Sequence, residues 1–108
     1  DPKTIARHEV LCSLDDVAFA AQRLLKFGGK FFMVHRPHRL TDIMCVLREH
    51  KLEPKRIRFV QPYADREPNM VLVEAVRSGK PMIKVMPTLV IYNSDGTYTQ
   101  ETLDIYYN

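Results

Sequence analysis

The sequence predicts an α/β fold, and three observations support this prediction. A nearly continuous apolar run, residues 30–35, lies between two segments with the three- and four-residue spacing of amphipathic helices. Two further strand-like runs, residues 56–61 and 70–76, are joined by a loop too short to contain a crossover helix, which makes them antiparallel neighbours. Asp95-Gly96 then indicates a hairpin near the end of the chain.

Residues 5–25 contain the first predicted helix. Apolar side chains recur there at helical spacing. Ser13 and Asp16 fit a capping box, in which each side chain accepts a hydrogen bond from the other residue's backbone, so the region divides into two helical pieces. We expect Gly28-Gly29 to end the helix, because glycine adopts the left-handed cap conformation without steric cost.

The apolar run of residues 30–35 predicts an interior strand of a parallel sheet. Both of its faces should be covered, and Phe31, Phe32 and Met33 should lie in the core. The run changes to polar and cationic residues at His35. Because ligands bind beyond the carboxyl ends of strands in open α/β sheets, this junction is the first place to look for substrate contacts.

Residues 37–50 form the second predicted helix. Asp42 falls in its first turn, where a carboxylate interacts favourably with the helix dipole. Glu53-Pro54 is expected to close the connection to the next strand. Residues 56–61 alternate cations and hydrophobes before becoming apolar, which favours a strand near a sheet edge with one solvated face.

The chain divides into two parts in this prediction. Residues 1–82 supply the sheet and the helices, and residues 83–108 supply a C-terminal hairpin and tail. The hairpin spans residues 89–99, and residues 103–108 add a last helical turn.

The composition is typical of a soluble globular domain. A net charge of +3 over 108 residues permits an RNA partner without requiring one. No apolar run approaches the length of a membrane span and no signal peptide is present, so we expect a cytoplasmic protein without membrane contact. Cys12 and Cys45 lack the spacing of a zinc or redox motif, and we expect free, buried thiols.

The predicted sheet is incomplete. An interior-type strand with no upstream partner leaves an open edge, which promotes association. The chain also begins with Asp1 rather than methionine. We therefore expect further strands upstream of Asp1, or self-association of two copies through the exposed sheet edge.

Five segments resemble, in order, the C-terminal part of one enzyme family. They are residues 5–9, 29–37, 52–60, 69–74 and 79–81. The family is the small-domain class I S-adenosylmethionine-dependent methyltransferases related to the bacterial valine-tRNA adenine-N6 methyltransferase. The resemblance covers nearly the whole chain. It implies the C-terminal part of a Rossmann-like methyltransferase sheet, with a parallel strand, an antiparallel last pair, helices packed on the sheet and a closing β-hairpin.

The resemblance also implies two motifs that this sequence lacks. They are the glycine-rich cofactor loop after the first strand and the Asn-Pro-Pro-Tyr motif after the fourth. Gly28-Gly29 precede a strand rather than follow one, so they cannot form the cofactor turn. We therefore predict that S-adenosylmethionine binds mostly outside this chain, and that the chain contains no catalytic, cofactor-binding or metal-ligating residue. His35 and His38 have no further ligands at useful spacing for a metal.

Six residues are candidates for contact with tRNA or another structured RNA. They are Arg7, His8, Arg36, His38, Arg39 and Lys80. The three at the junction after residues 30–35 suit a phosphate, with a solvated surface as the alternative. The resemblance places the first two near the substrate pocket, with a salt-bridge cluster on a helix face as the alternative. Lys80 follows the last core strand.

Two weaker candidates complete the set. Lys55, Arg56 and Arg58 form a charge run that is either a solvated strand face or an RNA contact. Tyr63 and Arg66, in the polar loop after that strand, suit a base and a phosphate.

Three functions follow from these observations. The resemblance implies that the full-length protein methylates N6 of an adenine in tRNA, while the isolated fragment is inactive. A second interpretation is a non-enzymatic α+β module that binds RNA through Arg36, Arg39, Arg56 and Arg58. A third is a methyltransferase of a small molecule or a protein, since one fold hosts many substrates.

Overall fold

A computed structural model describes residues 13–107. The predicted helical turn around residues 5–10, the candidates Arg7 and His8, and Cys12 lie outside the described residues. In chain order the elements are α1 (Leu14–Leu24), β1 (Lys30–His35), a 3₁₀ turn (Pro37–Arg39), α2 (Leu40–Glu49), β2 (Leu52–Gln61), β3 (Met70–Arg77), β4 (Lys84–Val85), β5 (Leu89–Val90) and α3 (Gln100–Tyr107).

The predicted start of α1 is confirmed. The Ser13 hydroxyl accepts a hydrogen bond from the Asp16 N–H, and the Asp16 carboxylate accepts one from the Ser13 N–H, both at 3.1 Å. The predicted glycine cap is wrong. Leu25 already has extended backbone, with φ −86° and ψ 144°, and its side chain packs against the core. Gly28, at φ +79°, forms the turn into β1 instead.

The sheet has the strand order β1-β3-β2, followed by β4 and β5, which both pair with β2. β3 is antiparallel to β1 and to β2, which confirms the predicted antiparallel pair. β1 and β2 consequently run in the same direction with β3 between them. β4 and β5 are parallel to β2.

The core lies between the two long helices and one face of the sheet. Ile43 and Leu47 of α2 are fully buried against Val71, Val73 and Ala75 of β3. These three β3 residues alternate, as expected for a strand that has one face on the core.

The prediction that both faces of β1 are covered is wrong for the described residues. Phe32 and Val34 are 68% and 61% exposed, whereas Phe31 and Met33 pack against the core. Phe32 is therefore not a core residue. The reason is that the helices packed on this sheet lie on its other face, and β1 is an edge strand within residues 13–107.

The prediction that residues 56–61 form a strand near a sheet edge is confirmed only in part, because β2 lies one strand in from the edge that the two-residue strands β4 and β5 form. β2 has β3 on one side and β4 and β5 on the other. It begins at Leu52, so Glu53-Pro54 lie inside the strand rather than closing a connection. The register with β3 shifts between Pro54 and Arg56, a bulge of the kind that accommodates proline in a strand.

Three smaller differences concern Cys45, the hairpin and the C-terminal tail. Cys45 is exposed, because it points away from the helix face that carries Ile43 and Leu47. The hairpin is present as a single antiparallel bridge between Tyr92 and Tyr98, and residues 89–90 pair with β2. The tail is a full helix, α3, rather than one turn.

Over the described range, no helix is both long and apolar enough to cross a membrane.

Candidate functional site

Three loops meet at one edge of the sheet. Because β1, β2 and β5 run in the same direction, their last residues, His35, Gln61 and Val90, lie at the same end of the sheet. We call this end, where the three strands finish, the carboxyl edge. The loops of residues 36–39, 62–69 and 91–99 leave this edge after β1, β2 and β5. This is where open α/β sheets bind their ligands.

The junction after β1 brings three of the predicted candidates together. Arg36, His38 and Arg39 are consecutive or nearly so around the 3₁₀ turn, and the Arg36 N–H donates to Nδ1 of His35 at 2.8 Å. Arg39 Nε donates to Asp42 at 3.0 Å, which partly neutralises that cation. Within residues 13–107, Arg36 has no carboxylate partner.

A pocket of about 400 Å³ adjoins this junction. Its lining includes His35 and Arg36 from the end of β1, and Asn69 and Met70 from the start of β3. The loop of residues 62–69 therefore borders the β1 junction at its far end.

Lys80 is not brought to this group. β3 ends at Arg77, which pairs with Leu52 at the start of β2, so Lys80 follows at the opposite edge of the sheet. Its carbonyl oxygen accepts a hydrogen bond from Lys55 Nζ at 2.8 Å. Its contact with RNA stays a prediction.

The charge run of β2 contacts other parts of the chain. Lys55 Nζ donates to the carbonyl oxygens of residues 80 and 81. Arg56 lies 3.9 Å from Glu74 on β3. Arg58 Nε donates to the Pro87 carbonyl at 2.9 Å, and its terminal nitrogen pairs with Glu101 of α3. Lys55 and Arg58 therefore hold residues 80–101 to the sheet, whereas Arg56 joins β2 to β3.

The carboxyl edge also carries three tyrosines whose rings contact one another in series, a group that the sequence did not reveal. Tyr63 follows β2, and Tyr92 and Tyr98 form the bridge after β5. The ring centroids of Tyr63 and Tyr92 are 5.4 Å apart at 32°, and those of Tyr92 and Tyr98 are 5.4 Å apart at 16°. We call Tyr63, Tyr92 and Tyr98 the tyrosine ladder. A sequence signal for the second pair was available, since Tyr92 and Tyr98 lie on opposite sides of the predicted turn and cross-strand neighbours contact each other.

A cleft of about 770 Å³ lies beside the tyrosine ladder. Its lining includes two rings of the ladder and the side chains of Arg66, Asn93 and Ser94. Arg66 was predicted from its place in the polar loop, and the structure brings it next to residues that are nearly thirty positions away. The cleft therefore combines aromatic, hydrogen-bonding and cationic groups with one carboxylate, that of Asp65.

The turn beside this cleft is stabilised by Asp95. Its carboxylate accepts hydrogen bonds from the Thr97 hydroxyl at 2.6 Å and from the Thr97 N–H at 3.0 Å. These bonds, the side-chain one first, hold the pKa of Asp95 below its usual value. Gly96 completes the turn at φ +88°.

We expect the turn to loosen in acid. A lowered pKa in the folded state means that the Asp95 contribution is fully present above the usual aspartate pKa and is lost as the pH falls through the lowered value. In an NMR titration, the Thr97 amide should shift with a midpoint below that of an ordinary aspartate. Thr97→Val should move this midpoint upward, and an unchanged midpoint would show that the hydroxyl does not bind the carboxylate.

Within residues 13–107, neither a glycine-rich cofactor turn nor a cluster of metal ligands is formed. Of the four glycines of this chain, Gly28 and Gly29 precede β1, Gly79 follows β3 at the opposite edge, and Gly96 lies in the Asp95 turn. None of them forms a glycine-rich turn after a parallel strand. Residues 13–107 also contain no group of three His, Cys, Asp or Glu side chains placed to hold a metal ion.

The fold is that of part of a class I methyltransferase. The chain superimposes on a crystal structure of a predicted O-methyltransferase from Agrobacterium tumefaciens with a TM-score of 0.77 and 15% identity, covering 87% of this chain and 45% of that one. This match confirms the predicted Rossmann-like methyltransferase sheet.

The sequence itself is similar to a particular enzyme of this class. It is 28% identical over 102 residues to the tRNA1(Val) (adenine(37)-N6)-methyltransferase of Porphyromonas gingivalis. The alignment covers 92% of this chain and 40% of that enzyme. The predicted resemblance is thereby confirmed. The chain spans about two fifths of the length of this relative. No family model matches the chain.

Proposed function

We propose that this chain is the C-terminal part of an S-adenosylmethionine-dependent methyltransferase that modifies N6 of an adenine in tRNA. The observation that carries the proposal is the similarity, over 92% of the chain, to an enzyme named for that reaction. The shared fold supports the methyltransferase class. In this proposal S-adenosylmethionine supplies the methyl group and is held mostly by residues outside the chain.

The role of this chain is to build the sheet and one side of the substrate site. The carboxyl edge carries Arg36, which has no carboxylate partner within residues 13–107, and the polar loop of residues 62–69. A guanidinium at this edge suits an RNA phosphate, because arginine forms bidentate hydrogen bonds with phosphate oxygens. The chain would contribute contacts that position the RNA, while the groups that surround the reacting amine lie elsewhere.

The alternative of a stand-alone RNA-binding module has less support. Of its four proposed arginines, Arg39 pairs with Asp42. Arg58 pairs with Glu101, and Arg56 lies near Glu74. Cations that are already paired contribute less to the attraction of phosphates. The fold does not distinguish an RNA acceptor from a small molecule or a protein, so those acceptors are outcomes of the test.

The direct test is methyl transfer by the complete protein that contains this chain. Unmodified tRNA transcripts are incubated with labelled S-adenosylmethionine and digested to nucleosides, and the products are identified by mass spectrometry. We expect N6-methyladenosine. The control is a transcript in which adenine 37, the position in the relative's name, is replaced by guanine. Transfer to small molecules or proteins but to no tRNA would contradict the proposal.

A further inference from the structure

The tyrosine ladder is built on a fixed backbone. The Tyr92 N–H donates to the Pro62 carbonyl at 2.8 Å, which ties the loop after β5 to the loop after β2. The Gln61 side-chain amide donates to the carbonyls of Tyr63 and Ala64, both at 3.1 Å. The rings are therefore held in place before any ligand arrives, and a preorganised site loses little conformational entropy on binding.

The ladder does not belong to the hydrophobic core. None of its three tyrosines is buried, and Tyr98 is 50% exposed although one face of its ring stacks on Tyr92. The core cluster is formed by other residues, around Ile43 and Leu47. Rings that contact one another, are partly exposed and lie outside the core offer a surface to a ligand rather than filling the interior.

The chemistry of the neighbouring cleft indicates what that ligand is. Its volume, about 770 Å³, is in the range of sites for small organic groups. Stacked aromatic side chains favour a flat π-system. The exposed Arg66 guanidinium provides a positive charge, and the Ser94 hydroxyl provides a hydrogen-bonding group. The Asp65 carboxylate also lines the cleft, 4.0 Å from Arg66 Nε, but both side chains are largely exposed, so this pair is weak and leaves the guanidinium able to bind a phosphate. A planar base attached to a phosphate matches this combination.

We propose that the tyrosine ladder is a stacking site for an unpaired base of the substrate RNA, with Arg66 contacting an adjacent phosphate. The inference rests on the proposed function and deepens it, because it assigns residues that recognise the RNA. Sequence-specific RNA recognition commonly uses unpaired bases stacked on aromatic side chains. Enzymes that modify a base also need it outside the helical stack.

The position of the ladder fits an extended RNA contact. The loop of residues 62–69 contributes Arg66 to the cleft and Asn69 to the pocket that contains Arg36. Both sites lie at the carboxyl edge. An RNA strand that has one base stacked on the tyrosine ladder can therefore direct a neighbouring phosphate toward Arg36.

The test measures RNA affinity of variants of the complete protein. Tyr63→Leu removes a ring that lines the cleft, Tyr63→Phe keeps it, and Tyr106→Leu is the matched control, since Tyr106 is an exposed tyrosine of α3 whose one aromatic contact among the described residues is the edge-to-face contact with Tyr107. Fluorescence anisotropy with an unmodified, labelled tRNA transcript should show a Kd roughly 5- to 100-fold higher for Tyr63→Leu, and a Kd within about twofold of wild type for the other two. Equal affinity of Tyr63→Leu and wild type overturns the inference.

A second measurement requires no variant. The wild-type protein is irradiated with tRNA containing 4-thiouridine, and the cross-linked peptides are identified. We expect cross-links within residues 62–66 and 92–98, and cross-links confined to other peptides overturn the inference. The two proposals fail separately. If wild type methylates tRNA but the ladder neither cross-links nor affects affinity, only the stacking site is wrong. If wild type neither binds nor methylates tRNA, the proposed function is wrong as well.

Discussion

Leu47→Ala is expected to lower the free energy of unfolding by about 2–5 kcal/mol. Leu47 is fully buried where α2 packs on the sheet, next to Ile43 and the alternating β3 residues. Truncation removes apolar burial and leaves a cavity, which a close-packed interior fills only partly. Urea denaturation followed by circular dichroism measures the change.

Leu24→Ala is the matched control for this substitution. Leu24 is also in a helix, at the end of α1, but it is 86% exposed. The helix propensities involved are the same, so the difference between the two variants isolates burial. A loss of stability as large for Leu24→Ala as for Leu47→Ala would contradict the described core.

Arg58→Ala is expected to release α3 from the sheet and to cost about 1–3 kcal/mol. Arg58 joins three parts of the chain: β2, on which it lies, the Pro87 carbonyl, and Glu101 of α3. No residue of α3 is buried, and its other described hydrogen bonds to more distant parts of the chain run from the Thr102 hydroxyl to the carbonyl oxygens of residues 90 and 91. Arg58 is therefore its one charged anchor among the described residues. Hydrogen exchange should show faster exchange across residues 100–107 in the variant.

Arg56→Ala controls for the loss of a β2 cation. Arg56 is more exposed than Arg58 and lies 3.9 Å from Glu74, a geometry that contributes about 0–1 kcal/mol. We expect exchange in α3 to be unchanged in this variant. Faster exchange in α3 after Arg56→Ala, or none after Arg58→Ala, would show that the anchor lies elsewhere.

Local patterns predicted most of the elements. The Ser13–Asp16 capping box, the helical spacing of α2 and the apolar runs of β1 and β3 all appear in the structure at or near their predicted positions. The loop between β2 and β3 was short enough to require antiparallel pairing, and this is what the register shows. These features depend on residues close together in the chain, which is why they could be inferred.

The position of each strand in the sheet was harder to predict. The cations of β2 indicated an edge, but β4 and β5 pair with it, and strands of two residues leave no periodic signal. The apolar composition of β1 indicated cover on both faces, whereas the described residues cover one. The apolar composition of a strand reflects its burial in the whole protein, whereas this chain spans about two fifths of the length of its relative.

Only part of the candidate site was predicted, because the sequence reveals local patterns but not contacts that depend on strand pairing. The junction after β1 was identified because the change from apolar to cationic residues is local. The tyrosine ladder joins Tyr63 to residues 92 and 98 through the pairing of β5 with β2, which no local pattern indicates. Lys80 was grouped with Arg36 by charge, and the antiparallel direction of β3 separates them.

The central claim is that this chain forms the substrate side of a methyltransferase whose donor site lies mostly outside it. Isothermal titration of S-adenosylmethionine into the complete protein and into the isolated chain, residues 1–108, tests that claim most directly. We predict saturable binding to the complete protein and none to the isolated chain, which has no glycine-rich turn after a parallel strand. Binding of equal affinity to the isolated chain, or no binding to the complete protein, would contradict the account.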